Sequence, residues 1–295
     1  MQIVLSLVTV CTIAQAMELR IGSATFNWKT DMGFARTDFD IDARVYSLSE
    51  QHNNFGDSRF YYFYNADLYQ SDTADRVTDL ITTPLTYDFP VVGSFNDAVA
   101  HYTSIPVPAD YRIRGFDIDL GIGYDLFKDK KGVLGVGINT GLSIPVMKMK
   151  NLRKSAEVTY NLLGDTETTV KTWKLGPILH AAYRIFPKLL MYGSFTAGYQ
   201  TGSIENDWIK SSLTVDGSYT ALDLGMRFTP WQRHKDLGWI RLDPKLFVTA
   251  GYSQKNWTME RVSVDAFNVT EFSSGGFFKN SFSNGYWYIG VGYDF

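Results

Sequence analysis

The sequence is poor in cysteine and proline and lacks a long hydrophobic run. Its 295 residues include 1 Cys and 9 Pro. Cys11 lies in an N-terminal segment that we expect to be removed, so the mature chain forms no disulfide and has no cysteine nucleophile or cysteine metal site. A membrane-spanning helix requires about 20 consecutive apolar residues. No run in this sequence approaches that length, which argues against a helical membrane protein.

A basic surplus is also missing. Lys and Arg number 28 against 31 Asp and Glu, for a net charge of −3, so nucleic acid is not expected as a partner. Aromatic residues are abundant, with 18 Tyr, 20 Phe and 7 Trp, which excludes a disordered chain. The Gly121-x-Gly123 pair lies inside an alternating segment rather than at a strand-to-helix turn, so no dinucleotide site follows. We expect no cofactor and no metal site.

The N-terminal segment is typical of a secretory signal peptide. An apolar run from Ile3 to Ile13 precedes Ala14-Gln15-Ala16, which has the small-residue pattern of a cleavage site. We therefore predict a signal peptide over residues 1–16 and a single barrel domain over residues 17–295. A buried first strand or helix is the alternative interpretation.

Alternation with a period of two dominates the rest of the chain. Between Arg114 and Phe127, apolar side chains occupy every second position, and Gly or Asp occupies the positions between them. Successive side chains of a strand point to opposite faces, so this pattern predicts one apolar face and one small or acidic face. The segments span more residues than the five or six that are usual in soluble strands, whereas a membrane strand requires roughly 9–11.

These segments predict an all-β fold, a closed antiparallel transmembrane β-barrel with short periplasmic turns and long extracellular loops. Ten strands are the main prediction, with twelve or eight as alternatives. Residues 71–110 form the longest connection, and we hypothesise that they fold over or into the external mouth as a plug. The expected strands are residues 19–28, 39–49, 59–69, 111–127, 133–146, 170–186, 189–204, 213–229, 239–254 and 285–295.

Charged residues on the small-residue face are candidates to line the lumen. Charges of both signs occur. The structural interpretation is an internal ion-pair network, and the functional interpretation is a narrow polar passage for small solutes. The candidates are Asp117, Asp119, Asp125, Lys174, His180, Arg184, Asp223, Arg227, Arg241, Asp243 and Lys245.

The C-terminal strand carries the most specific motif. Trp287, Ile289, Val291, Tyr293 and the final Phe295 alternate, and Gly290 lies three residues before Tyr293. This motif resembles the terminal signal of bacterial outer-membrane β-barrel proteins, although it identifies no subfamily. The resemblance implies recognition by the barrel-assembly machinery, which acts by strand addition. It also implies a Gram-negative outer membrane, contacts with its lipids and lipopolysaccharide, and a monomer.

Two other classes of protein remain open. One is an outer-membrane hydrolase, either an omptin-like protease or a lipid-modifying enzyme. His101 is the one histidine expected on the external side of the membrane, since His52 and His234 fall in expected periplasmic turns and His180 in the lumen. It has no Asp two residues before it and precedes Tyr102-Thr103 rather than a His-x-Ser arrangement. The other class is a soluble periplasmic β-barrel that binds an apolar ligand. Aromatic residues near the strand ends favour a membrane barrel with interfacial girdles, namely Trp173, Trp208, Trp257, Trp231, Trp239 and Tyr183.

Overall fold

Antiparallel strands make up almost all of the computed structural model. It describes residues 16–31, 35–80, 105–150, 165–207, 212–231, 234–236, 241–264 and 279–295. The predicted signal peptide up to residue 15 lies outside these ranges, while Ala16 is the first residue of β1. Within the described ranges, no helix is long and apolar enough to cross a membrane. The strands are β1 Ala16–Asp31, β2 Ala35–Asn54, β3 Phe60–Ser71, β4 Ala74–Leu80, β5 Ile105–Lys128, β6 Gly132–Lys150, β7 Thr166–Phe186, β8 Leu189–Asn206, β9 Ser212–Phe228, β10 Lys235–Asp236, β11 Arg241–Leu242, β12 Leu246–Val264 and β13 Lys279–Asp294.

The sheet closes on itself. Each long strand pairs with its neighbour along the chain, and β1 also pairs with β13 from Ala16↔Asp294 to Asp31↔Lys279. Strand β4 continues the line of β3, because both pair with β5. The wall is therefore a ten-strand antiparallel barrel, as predicted, and its closure leaves no free sheet edge at the seam. We call the rim that carries Ala16 and Phe295 the lower rim and the opposite rim the upper rim.

The ten predicted strands are confirmed, but several extend further than the alternation indicates. Residues 74–80 and 105–110 belong to β4 and β5, so the prediction of one long loop over residues 71–110 is wrong in those parts. The proposed plug itself falls on residues 81–104, outside the described ranges. The ninth predicted strand begins too early, at residue 239. Its structural counterpart, β12, begins at Leu246, because Pro244 and Lys245 form a turn.

The apolar rows face outward across the lower part of the wall. Ile21, Leu120, Ile138, Leu175 and Ile289 are each more than half exposed on the outside of the barrel. The residues between them on each strand point inward. A soluble barrel would bury such rows, so the soluble periplasmic alternative is wrong, and the outer surface is the band expected of a membrane-spanning barrel.

The polarity of the wall reverses toward the upper rim. On β1, inward positions change from Glu18 and Arg20 to Phe26 and Trp28, while the outward positions become polar. Strand β5 changes in the same way, with Tyr111 and Ile113 inside. The upper barrel is thus built like a water-soluble protein, with an apolar interior and a polar exterior. The strands consequently extend beyond the membrane as a rigid wall.

Two inward glycines of β5 are covered by rings from the neighbouring strand β3. Tyr61 lies against Gly123, and Phe63 lies against Gly121. A Cβ atom on Gly123 would overlap the Tyr61 ring, which is fully buried and stacks on His52 with ring centroids 4.2 Å apart. The small inward residues therefore make room for aromatic side chains rather than for an open lumen.

We expect Gly123→Val to lower the free energy of unfolding by about 1–3 kcal/mol, because the buried Tyr61 ring must move. Urea titration of the barrel in lipid vesicles measures this loss. Ala250→Val is the control, because Ala250 is exposed on the outer face of β12 and its change should stay within about 0.5 kcal/mol. Equal stability of the two variants would contradict the packing described for Gly123.

Candidate functional site

Five ionisable side chains meet at the middle of the lumen. Lys174 of β7 lies between two carboxylates of β5, with Nζ 2.5 Å from Asp117 Oδ1 and 2.8 Å from Asp119 Oδ1. Lys255 of β12 contacts the same two residues and Asp67 of β3, whose Oδ2 is 2.9 Å from its Nζ. All five side chains are nearly inaccessible to solvent. Strict alternation puts each of them on the inner face, and closure of the barrel brings the four strands together.

Uncharged groups complete this ionic cluster. The Ser143 hydroxyl donates to Asp117, and Trp257 Nε1 donates to Ser143 over 2.9 Å. The Lys174 ammonium lies 4.2 Å from the centre of the Tyr219 ring. Three carboxylates face two ammonium groups, so the cluster carries a formal charge of −1. Buried charges are tolerated when they are paired and hydrogen-bonded in this way.

A second ionic group lies nearer the lower rim. Arg20 of β1 donates from Nε to Glu18 over 2.7 Å and from Nη1 to Asp223 over 2.6 Å. Its guanidinium lies 4.2 Å from the centre of the Tyr288 ring. Tyr288 donates to Asp223 over 2.8 Å and contacts the hydroxyl of Tyr192 at 2.9 Å. Strands β1, β8, β9 and β13 are therefore tied together inside the barrel.

Two histidines stack beside this group. The His52 and His180 ring centroids are 4.6 Å apart, and the Tyr61 ring lies 4.2 Å from His52 and 6.0 Å from His180. His52 Nε2 lies 3.2 Å from Asp125, which also accepts from Asn54 over 2.8 Å. Among the described residues, His180 Nε2 has no hydrogen-bond partner.

Two cavities lie on the inner side of the described wall. A cavity of about 70 Å³ opens near the lower rim beside Glu50, His52 and His180, and one of about 50 Å³ lies higher, beside Asn139 and Lys255. Each cavity has room for water molecules.

An apolar core fills the lumen above the ionic cluster. Phe26 stacks on Tyr69 with centroids 5.6 Å apart, and Trp28 lies 4.0 Å from Phe282. Phe39 and Tyr111 close the side formed by β2 and β5, 4.7 Å apart. These rings are almost completely buried. Aromatic side chains of the wall therefore occupy the upper part of the lumen.

The structure places most of the predicted lumen residues on the inner face. Asp117, Asp119 and Lys174 form the ionic cluster, while Asp223 joins Arg20. Asp125 and His180 belong to the histidine stack. Arg227 is only partly buried, pairs with Asp294 and lies 3.6 Å from the centre of the Phe247 ring. Arg184 has the inward parity but is exposed near the lower rim.

Three predicted lumen residues lie outside the barrel wall. The backbone of Arg241 belongs to the short strand β11, and Asp243 and Lys245 follow in the connection to β12. Asp243 accepts from the backbone N–H of Lys245 over 2.9 Å, which lowers the pKa of Asp243. The prediction was wrong because alternation alone does not show where a turn interrupts a strand; Pro244 was the available signal.

Several inward charges were not predicted, among them Glu18, Arg20, Glu50, Asp67 and Lys255. Glu18 and Arg20 alternate with Leu19 and Ile21, and Asp67 alternates with Ala66 and Leu68, so the same period of two could have found them. Lys255 lies one residue beyond the predicted end of its strand. Trp257 was assigned to an interfacial girdle, but it is inward and buried, whereas Trp173 is 62% exposed on the outer face.

The hydrolase alternative depends on where the four histidines lie. His52 and His180 lie inside the barrel, and His234 lies in the lower connection, 3.8 Å from Asp243. His101 lies outside the described residues. Within the described part of the chain, no group of three or more His, Cys, Asp or Glu residues is arranged to bind a metal ion.

Comparison with known proteins gives only a fold-level likeness. No family model and no curated protein matches the chain. Similar solved structures include the toluene transporter TbuX of Ralstonia pickettii, with 10% identity, coverage of 96% of this chain and 90% of that chain, and a TM-score of 0.32. Neisserial surface protein A has 11% identity, coverage of 95% and 99%, and a TM-score of 0.31. Ail of Yersinia pestis has 12% identity, coverage of 95% and 98%, and a TM-score of 0.28.

Scores this low do not indicate which function this chain has. The class is defined by its own geometry: a closed antiparallel barrel with an apolar outer band, a charged lumen and an upper extension with reversed polarity. These are the features of a transmembrane β-barrel of the outer-membrane type.

Proposed function

We propose that this protein is an integral outer-membrane β-barrel of a Gram-negative bacterium that acts as a closed scaffold. Its lower part spans the membrane, and its upper strands present a rigid surface to the exterior. The apolar outer rows support the membrane location, and the reversal of polarity along β1 and β5 supports the exposed extension. The small-solute passage considered from the sequence is the less favoured function.

One observation supports a closed scaffold over a small-solute passage. Side chains of the described wall occupy the lumen from the histidine stack through the ionic cluster to the aromatic core. Lys174 and Asp117 at the centre are each 1% exposed. An aqueous channel would hydrate such groups, whereas a scaffold uses them to tie strands together across the barrel.

The same geometry supports a monomer without catalytic activity. Pairing of β1 with β13 leaves no exposed edge at the seam to join a second chain. The outward Trp287, Ile289, Val291 and Tyr293 on β13 fit recognition of this strand by the barrel-assembly machinery before closure. Protease and phospholipase assays on the purified barrel are expected to show no activity.

Conductance in planar bilayers tests the scaffold. We expect no stable open-channel current from the purified protein, with a general porin as the positive control for reconstitution. Heat-modifiable migration in gels and outer-membrane fractionation check that the barrel is folded and correctly located. Reproducible single-channel steps from the folded protein would overturn the proposal.

Deletion of residues 81–104 separates a loop plug from closure by the wall. We expect the deletion to leave conductance at the background level, because the aromatic core and ionic cluster are formed by the strands themselves. Planar bilayers again give the measurement. A clear rise in conductance would show that this segment closes the barrel and would argue for a gated passage.

A further inference from the structure

The ladder on one edge of β2 is interrupted in the upper barrel. Pairing of β2 with β3 ends at Ala43↔Ser71, and pairing of β2 with β4 resumes only at Arg36↔Asp79. Among the described residues, none of residues 38–42 has a register partner on this edge, although their other edge stays paired with β1. Other interruptions in the described wall span at most two residues. We call the space between residues 38–42 of β2 and residues 74–78 of β4 the gap.

A β-bulge accounts for the gap. Residues 71–73 at the junction of β3 and β4 oppose only residues 112 and 113 of β5. An extra residue in one strand bends that strand and increases its twist. Ser71 is fixed at the bulge, because its hydroxyl accepts from the backbone N–H of Ile113 over 2.8 Å. Strand β4 therefore follows β5 and separates from β2.

The side chain of Arg76 bridges the gap. Its Nε donates to the backbone carbonyl of Asp40 over 2.7 Å, and its Nη1 donates to the backbone carbonyl of Asp75 over 2.8 Å. The Asp40 carbonyl therefore points toward the gap. Backbone groups of a strand point the same way at every second residue, so Asp38 and Asp42 present theirs to the gap as well. Such an edge is a template for pairing with another chain.

The borders of the gap are acidic and lie above the apolar band. Tyr46 of β2 and Leu68 of β3 are the last exposed apolar residues below it. The side chains described on β1 to β4 at this height include five carboxylates and three cations, which leaves a formal charge of −2. They are Asp38, Asp40, Asp42, Asp72, Asp75, Lys29, Arg44 and Arg76. A segment with positive charge is therefore complementary to these borders.

A cavity of about 260 Å³ opens on the outer face at the lower end of the gap. Asp42 and Asp72 line this cavity, together with Arg44 and Gln70. Asp42 accepts only from the neutral hydroxyl of Thr25, over 3.3 Å, and no ion pair joins Asp42 or Asp72 to another described residue. The cavity can therefore take the side chain of a lysine between the two carboxylates.

We propose that the gap binds an extended, basic peptide segment of another protein, which pairs with the edge of β2 as an added strand. The proposal rests on the proposed function, in which the upper strands face the exterior. Backbone pairing supplies affinity, and alternate side chains supply selectivity. Positions beside Asp38, Asp40 and Asp42 favour Lys or Arg. The positions between them point inward, where Phe39 and Ile41 are already buried, and so favour small residues such as Ala or Thr.

A labelled hexapeptide of alternating lysine and threonine tests the proposal, with fluorescence anisotropy as the measurement and the full-length barrel in detergent. The control peptide has the same sequence and charge but is N-methylated on its three lysines. In an antiparallel pair these N–H groups meet the backbone of Asp38, Asp40 and Asp42. Loss of three hydrogen bonds should weaken binding roughly 100-fold. Equal binding of the two peptides would show attraction by charge alone and would overturn the proposal.

The charge complementarity is tested with Asp38→Asn/Asp42→Asn. We expect this double variant to bind the hexapeptide roughly tenfold more weakly, because two exposed charge pairs are lost. Glu205→Gln/Asp216→Asn is the charge-matched control. These residues lie on β8 and β9, which are five and four strands from β2 around the wall, so affinity should change by no more than about twofold. Equal weakening by both double variants would contradict binding at the gap.

Arg76→Ala tests whether the peptide replaces the arginine bridge. We expect it to bind the hexapeptide about tenfold more tightly than Arg44→Ala does, because binding no longer has to break the two hydrogen bonds of Arg76. Arg44→Ala removes the same charge beside the gap and leaves the bridge intact. Migration of unheated samples in gels checks that both variants are folded. Equal affinity of the two folded variants, or weaker binding by Arg76→Ala, would place the peptide elsewhere.

Fractionation and sedimentation keep the remaining outcomes apart. A folded barrel in the outer membrane that does not bind the hexapeptide refutes the peptide site alone. Absence of the protein from the outer membrane refutes the proposed function, whatever the purified barrel binds. A dimer in detergent that the hexapeptide dissociates would overturn the proposal in favour of a second copy of this chain in the gap.

Discussion

Lys255→Met is expected to lower the free energy of unfolding by about 3–5 kcal/mol, the cost of breaking a buried ion pair from one side. Lys255 contacts Asp67, Asp117 and Asp119 and is almost completely buried. Its loss leaves three buried carboxylates with Lys174 as their remaining cation, and the shape of methionine cannot compensate for the missing charge. Urea titration in lipid vesicles, followed by circular dichroism, measures the change.

The matched control is Lys29→Met. Lys29 pairs with Asp38 over 3.2 Å, but both side chains are more than half exposed. Surface ion pairs contribute at most about 1 kcal/mol, so the control should be nearly as stable as the unaltered protein. If Lys255→Met were equally mild, the ionic cluster would not be a structural centre of the lumen, and the closed-scaffold proposal would lose its main support.

Trp257→Ala is expected to cost about 3–5 kcal/mol in the same measurement, as large aromatic-to-alanine changes do in packed cores. Trp257 lies where the ionic cluster meets the aromatic core. Its indole donates to Ser143 over 2.9 Å, and its ring lies 5.8 Å from Tyr219 and 6.4 Å from Phe26. Truncation therefore removes packing and leaves the Ser143 hydroxyl without this donor.

Trp257→Phe separates the two contributions. Phenylalanine keeps a ring in the core but loses the indole N–H, so its cost should fall between those of the unaltered protein and the alanine variant. Gel migration of unheated samples checks that both variants close into barrels. An alanine variant as stable as the unaltered protein would mean that the upper lumen is loosely packed, contrary to the near-complete burial of its rings.

Strand positions were predictable because they depend on a local rule. Successive side chains of a strand alternate between faces, so the Gly and Asp residues that separate Phe116 from Leu126 had to share one side. Closure was predictable as well. An open sheet of ten strands in water would expose its apolar face and its two edge strands. The charged candidates on central strands, such as Asp117 and Lys174, followed from the same rule.

Strand ends were not predictable from alternation. In the sequence, Asp243 and Lys245 continue the period-two alternation. In the structure, the chain turns at Pro244, so both residues lie outside the wall. Lys255 and Trp257 extend β12 inside the barrel beyond the predicted end. A strand that leaves the membrane can continue as sheet, because its backbone groups stay paired with the neighbouring strands whatever the surroundings.

The sequence by itself determined that the chain forms a barrel and which side chains share each face of a strand. Tertiary structure decided which face is apolar at each height, and therefore that the upper lumen is an aromatic core instead of a passage. It also decided which ions meet, because Asp67, Asp117, Lys174 and Lys255 come from strands far apart in the chain. Contacts of this kind depend on register and closure around the whole barrel, which a pattern confined to one strand does not contain.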